Sequence, residues 1–506
     1  MSRRDTAEQL SPAQGLTITQ PDELVRAIAP GTSGGGRWVS LLVLCTGFLM
    51  IVLDATIVNV ALPSIQADLA FTQANLAWVI NAYLIAFGGL LLLAGRLGDL
   101  IGRKTLFLSG LVAFTAASVL CGMANSQEML IVARFIQGIG GAMTAAVVLG
   151  MIVTMFPDPA EQAKALGIYG FVATAGASLG LLLAGVLVQA VTWHWIFLVN
   201  LPIGIVTVIA AWKILDSDKG IGFGAGADVL GAALITFALM LGVFTIVQTA
   251  EHPWTTPRSI TLSATTIALF AAFVWRESTA RTPLLPLSIF RSRNVSGSNA
   301  AQILMVAAMY GMFFVATLFL QRVVGYGPLQ IGLAFLPSTA VMGLLSLFAS
   351  APIIGRFGPR TVVLASMVFM TAGLALFARA PIDTTFVVDI LPPMLLLGIG
   401  AGVGFPALMA LAMSDATPEN AGLASGLANT TGQVGGALGV SVLAALATAH
   451  TAVLSADGVE EILALTGGYH LAIGVAAVAM AAAAGMAALI LKKPAGVSTV
   501  AAVVAH

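Results

Sequence analysis

Charge is what this chain has least of. Among 506 residues only 9% are charged, and 22 Lys and Arg balance 22 Asp and Glu, whereas an ordinary soluble domain carries roughly 25% charged residues. A neutral balance gives no electrostatic footprint for nucleic acid. Cysteine is nearly absent too: Cys45 and Cys121 both fall in apolar runs, so no disulfide framework is implied. There is no G-x-x-x-x-G-K-S/T loop for nucleotide and no HExxH for metal. The five histidines, His194, His252, His450, His470 and His506, fall in loops or near ends, so no histidine proton relay is expected. These absences leave little basis for an enzyme or an ATP-driven pump.

What fills the chain is apolar: 58% of residues, against roughly 45–50% in soluble domains. Fourteen runs are long enough to span a bilayer, which takes about 20 residues each. They cover 39–62, 77–95, 105–123, 129–154, 164–188, 195–215, 227–249, 259–277, 298–320, 329–350, 361–380, 386–412, 421–447 and 468–491. The expected class is therefore an all-α polytopic membrane protein. With the N terminus inside, 18 of the 22 Lys and Arg lie on the cytoplasmic side, and only Arg258, Arg322 and Arg379 outside. Arg134 remains, within the fourth span.

The chain also contains a faint copy of itself. "GRLGDLIGRK" at 95 is answered by "GRFGPR" at 355, and Gly138 and Gly140 by Gly398 and Gly400, both at an offset of 260. "GASLG" at 176 is answered by "GGALG" at 435. The division that follows is a disordered cytoplasmic tail, 1–37, and a six-helix half, 38–216. Two inserted helices with a linker occupy 217–297, a second parallel half 298–492, and a short tail 493–506. Parallel repeats around a central cavity are transporter architecture.

Five stretches carry a resemblance: "LDATIVNVALPSI" at 53, "GRLGDLIGRK" at 95, "ARFIQGIGGA" at 133, "GASLGLLLAG" at 176 and "WHWIFLVNLPIG" at 193. Together they resemble the major facilitator superfamily and, within it, the 14-helix drug:proton antiporters, from about residue 39 to 491. The resemblance implies the major facilitator fold with 14 transmembrane helices and proton-coupled efflux of amphipathic small molecules. It departs in helix 5, where Leu181 stands in the usual Pro place and Ala184 in that of a Gly. Export of an endogenous lipid or metabolite, without antiport, is the alternative that this departure leaves open.

Asp54 is the first candidate site, because a carboxylate at membrane depth costs roughly 2.5–3.5 kcal/mol and must be compensated. Burial and a neighbouring cation act on its protonation in opposite directions, which makes it a candidate proton carrier. Arg134 is the candidate partner: counted from the outer ends of their helices, the two lie at depths of roughly 13 and 9 Å. At offset 260 they map onto Phe314 and Met394, so the second half builds these helices without charge.

The loop residues Gly95, Gly98, Asp99, Gly102, Arg103 and Lys104 read as a conformational gate, with Asp99 facing the positive end of helix 3. Asn59, Asn81, Gln137, Asn429, Thr430 and Gln433 are candidates to line a substrate cavity, and Met305, Phe313 and Phe314 a pliable apolar wall. Asp228 and Asp389 sit where helix capping explains them. No metal and no cofactor are expected, the proton gradient being the energy source. The expected partners are an amphipathic small molecule and membrane lipid; no nucleic acid is expected, and the protein is expected to be a monomer.

Overall fold

The computed structural model describes residues 34–156, 158–218, 220, 222, 228–248, 255–281, 283–285, 287–413 and 421–492. Most of both expected tails, 1–33 and 493–506, lies outside the described residues, and residues 34–37 already belong to the first helix.

The apolar runs become helices because lipid offers no partner for backbone N–H and C=O groups. In order they are α1 (Gly34–Leu69), α2 (Trp78–Ile101), α3 (Arg103–Gly122), α4 (Gln127–Met155), α5 (Pro159–Ala190), α6 (Trp195–Ile214), α7 (Val229–Gln248) and α8 (Pro257–Thr279). There follow α9 (Arg293–Arg322), α10 (Pro328–Phe357), α11 (Pro359–Phe377), α12 (Phe386–Ala412), α13 (Ala421–Ala456) and α14 (Glu461–Ile490). Thirteen are long and apolar enough to cross a membrane among the described residues, and α5 takes the remaining place. The 14-helix reading holds.

Hydroxyl side chains set several starts: Ser126, Thr256 and Ser292 accept backbone N–H bonds at the heads of α4, α8 and α9. Helices α1–α6 pack among themselves, as do α9–α14, and the two groups meet where α2 lies on α13 and α5 on α10. The inserted hairpin docks through α7 on α2 and α13, while α8 leans on α7. We call the side where the chain enters α1 and leaves α14 the terminal face.

The close helix approaches fix the register of the repeat. Gly138 lies against Tyr83 O and Gly398 against Ser338 O; Gly140 lies against Gly110 and Phe114, Gly400 against Ser366 and Met370. So α4 and α12 correspond at 260, as the sequence suggests, but α3 and α11 at 256. Gly102 (φ 96°) and Gly358 (φ 76°) make the same sharp turn between helices, so Gly358 is the counterpart of Gly102 and not of Gly98. Gly180 rests on Leu53 O and Gly439 on Ala307 O. Asp54 therefore corresponds to Ala308 instead of Phe314. Met394 stays opposite Arg134, and both counterparts are buried and uncharged.

Candidate functional site

Asp54 sits in α1 nine residues before Pro63, and Arg134 two turns into α4 from its Ser126 cap. Their exposures are 0% and 1%, and Arg134 Nη1 donates to Asp54 Oδ2 at 2.5 Å. Around this pair the N-terminal half closes a polar network with no outlet to lipid. Arg134 Nε donates to Val79 O at 2.9 Å, and Nη1 also to Gln137 Oε1 at 2.6 Å. Gln137 Nε2 donates to Asp54 Oδ1 and to Ser118 Oγ, both at 2.7 Å, and Asn200 Nδ2 reaches Asp54 Oδ1 at 3.2 Å. Residues of α4 and α6 thus bond the α1 carboxylate directly, and α3 joins the network through Ser118, which accepts from Gln137 and Asn200. A buried ion pair persists only when its remaining polar atoms are satisfied in this way.

Asn200 and Ser118 were not singled out from the sequence. The signal for Asn200 lay in "WHWIFLVNLPIG": Trp193 Nε1 is anchored to Asp68 Oδ2 at 2.9 Å, and the short turn Trp195–Leu198 delivers Asn200 at the head of the helix Asn200–Ile214. Ser118 gave no signal, because one Ser in an apolar helix more often bonds its own backbone. Gln137 was expected on a cavity wall and instead belongs to the charge network. Asn81 was expected there too; it is buried in the seam between the halves, donating to Ser441 Oγ of α13 at 2.8 Å.

Beside the network lies a cavity of about 830 Å³, running from the middle of the bundle to the terminal face. Phe48, Tyr83, Phe87, Tyr169, Tyr310 and Phe313 give its wall aromatic faces, and Asn59, Asn429 and Gln433 give it polar points. Asn59 Nδ2 turns to its own helix, donating to Ala55 O and Thr56 O at 3.3 Å. Thr430 is not on the wall, and its buried hydroxyl has no hydrogen-bond partner. Met305 and Phe314 are core residues; Phe313 and Met309 supply the α9 wall. Neither Asp54 nor Arg134 touches the cavity. Tyr83 connects the two regions: it lines the cavity, and the Arg134 guanidinium stands 4.4 Å from its ring centroid.

At the terminal mouth of the cavity stand Gly95, Arg96, Asp99 and Arg103. Gly98 lies against Val147 of α4, whereas Gly95 faces the cavity and packs on nothing. The anion at the head of α3 is Asp218, not Asp99: Arg103 N and Lys104 N donate to its two carboxylate oxygens at 2.7 and 3.1 Å. Asp99 belongs to the end of α2 and reaches Arg103 Nη2 at 3.5 Å. Lys104 Nζ ties down the end of α6 through Trp212 O and Leu215 O at 3.0 and 2.5 Å. Asp389 is a cap, accepting from Thr385 N at 2.7 Å.

This arrangement of two helical halves around a cavity open to one face, with a buried ion pair in one half and uncharged residues at the equivalent positions of the other, agrees with the comparisons to known proteins. The model of the Major Facilitator Superfamily matches residues 44–440. The chain belongs to that superfamily. It is 36% identical to the puromycin resistance protein pur8 of Streptomyces alboniger, over 83% of this chain and 84% of that one. It is also 36% identical to the cephamycin export protein CmcT of Amycolatopsis lactamdurans, over 80% and 84%. Among solved structures, an inward-facing, unoccupied bacterial homologue of the human lysosomal transporter Spinster covers 91% of this chain and 98% of its own, with TM-score 0.64 and 17% identity. As a major facilitator the chain is a multi-pass membrane transport protein, and these two relatives are named for antibiotic resistance and export.

Proposed function

We propose that this protein exports aromatic, amphipathic small molecules by proton-coupled antiport across the cytoplasmic membrane, with the terminal face and both chain ends in the cytoplasm. One observation carries the reading: the fully buried Asp54 is tied to Arg134, and the Tyr83 ring lies between that pair and the cavity. A proton on Asp54 cancels the charge that holds Arg134. Arg134 then leans on Gln137 and the Tyr83 face, and the cavity wall moves with Tyr83. Energy comes from the proton gradient, with no cofactor and no catalysis.

The wall chemistry supports neutral, zwitterionic or monovalent planar substrates, since its charged groups stand at the mouth and its depth is aromatic. Relatives named for puromycin, cephamycin, tetracenomycin C and lincomycin support antibiotic-like cargo. The gate residues Gly95, Gly98, Asp99, Gly102, Arg103 and Lys104 would hold the opposite, outward-open state; the bonds of Arg103 and Lys104 here run to α2, α4, the end of α6 and Asp218 in the linker after it, and none crosses to the second half. The protein works as a monomer in lipid and has no nucleic-acid partner.

A second reading, export of an endogenous lipid or metabolite without antiport, draws support from Leu181, which lines the cavity in place of the usual proline. Purified protein in liposomes with an imposed pH gradient separates the two. Ethidium is expected to accumulate against its gradient with wild type and to stop with Asp54→Asn. Dye movement that ignores both the pH gradient and the substitution would sink the antiport reading.

A further inference from the structure

Away from Asp54, a second pair of carboxyls is buried at the foot of the inserted hairpin. Asp228, just before α7, is 2% exposed and Glu277, in the last turn of α8, 3%. Asp228 Oδ1 accepts the Gly231 N–H at 2.9 Å, which is the capping role expected of it, and Arg276 Nε donates to both Asp228 oxygens at 3.1 Å. The single arginine is thus engaged by Asp228. Glu277 Oε2 accepts the Leu285 N–H at 2.9 Å, while its Oε1 is buried with no hydrogen-bond partner. A Cβ at Gly231 would stand 2.8 Å from both Asp228 Oδ2 and Glu277 Oε1, so the two carboxyls border the same spot.

Burial disfavours an ionised carboxylate that leaves one oxygen without a partner. A proton removes that charge and turns Oε1 into a donor. We propose that Asp228 and Glu277 form a second proton-binding site, in which Asp228 keeps Arg276 and Glu277 carries the exchangeable proton. The charged groups that face Glu277 are Asp228, at the head of α7, and Arg276 from its own helix. The connecting strap brings Leu284 and Leu285. From α2 come Leu90, Leu93 and Leu97, which pack with Leu284 and Ala232, while Arg96 of α2 lies on the cavity wall.

The strap gives the site its reach. Leu285 hangs on Glu277 by its N–H, and the two residues before it, Pro283 and Leu284, line the cavity mouth. Loss of the Glu277 proton sets two anions against one arginine. The strap loosens as Arg276 is redistributed between them, so protonation here sets the width of the mouth rather than the state of Asp54.

Infrared difference spectra of the full chain in liposomes, recorded as pH is changed without substrate, test this directly. Wild type is expected to show a protonated-carboxyl C=O band that Glu277→Gln removes and Asp54→Asn retains. Gln can still accept the Leu285 N–H, which preserves the fold. Asp228→Asn, which removes the competing anion and frees Arg276, is expected to weaken that band at the same pH. A band unchanged by Glu277→Gln, or indifferent to Asp228→Asn, overturns the proposal. Because no transport is read, the outcome is independent of what Asp54 does.

Discussion

The Arg134 guanidinium lies 4.4 Å from the centroid of the Tyr83 ring, and Tyr83 is also part of the cavity wall. A desolvated cation on an aromatic face is worth about 2 kcal/mol, so Tyr83→Leu is expected to slow proton-driven dye uptake in liposomes roughly thirtyfold. Tyr83→Phe keeps the ring and should stay within about twofold of wild type. Equal initial rates for all three proteins would remove Tyr83 from the coupling path.

Breaking the ion pair from one side strands a buried charge. Arg134→Met is expected to lower stability by about 3–5 kcal/mol, read as a fall in the thermal unfolding midpoint in detergent. Asp54→Asn removes the anion but keeps its shape, and should cost less.

The second half shows what the same positions look like when neutral. Asp54→Ala combined with Arg134→Met copies Ala308 and Met394, and is expected to recover most of the stability lost by Arg134→Met alone, because apolar replacement of a buried pair is often neutral. It should not drive uptake against a gradient. A double variant that still concentrates dye would show the pair to be structural.

Gly102 turns the chain at φ 96° with Asp218 O in front of its missing Cβ. Gly102→Ala is expected to cost about 1–2 kcal/mol for the left-handed conformation, with a further loss as Asp218 is displaced. Asp218→Ala removes the acceptor at the head of α3 and should cost about 0.5–2 kcal/mol. Thermal midpoints of the two variants and their double measure whether the effects overlap, as a shared contact requires.

Across the seam between the halves, Asn81 bonds Ser441 at 2.8 Å. Membrane hydrogen bonds of this kind average about 0.6 kcal/mol, so a cycle of Asn81→Ala, Ser441→Ala and the double should return a coupling near that size. Zero coupling would mean that the seam is held by packing alone.

The fourteen helices were legible in the sequence because lipid forces long apolar runs into helices, and the pairing of Asp54 with Arg134 because two unpaired charges at one depth are too costly to keep apart. The rest of the network was not legible. Ser118 and Asn200 join the network around Asp54 only when α3 and α6 close on α1; the motif before Asn200 marks where its helix starts but not what it meets, and nothing near Ser118 marks its depth. Gln137 and Asn81 show the same limit in reverse, since a helix projects polar side chains in every direction and only packing decides which face the cavity. Asp218 was missed because it is distant in sequence from the loop it caps. The offset of the repeat drifted because the turn at Gly358 is reached four residues sooner than its counterpart at Gly102, a deletion that a single offset cannot represent.

The neutrality of the second half has an electrical consequence. With Asp54 protonated, Arg134 is left as an uncompensated charge at membrane depth in one half, and its counterpart Met394 carries none. A membrane voltage acts on a charge with about 2.3 kcal/mol per 100 mV for a full crossing, so the field pulls on this position in one lobe and not on its counterpart in the other. Under the proposed coupling, turnover responds to voltage as well as to pH through this arginine.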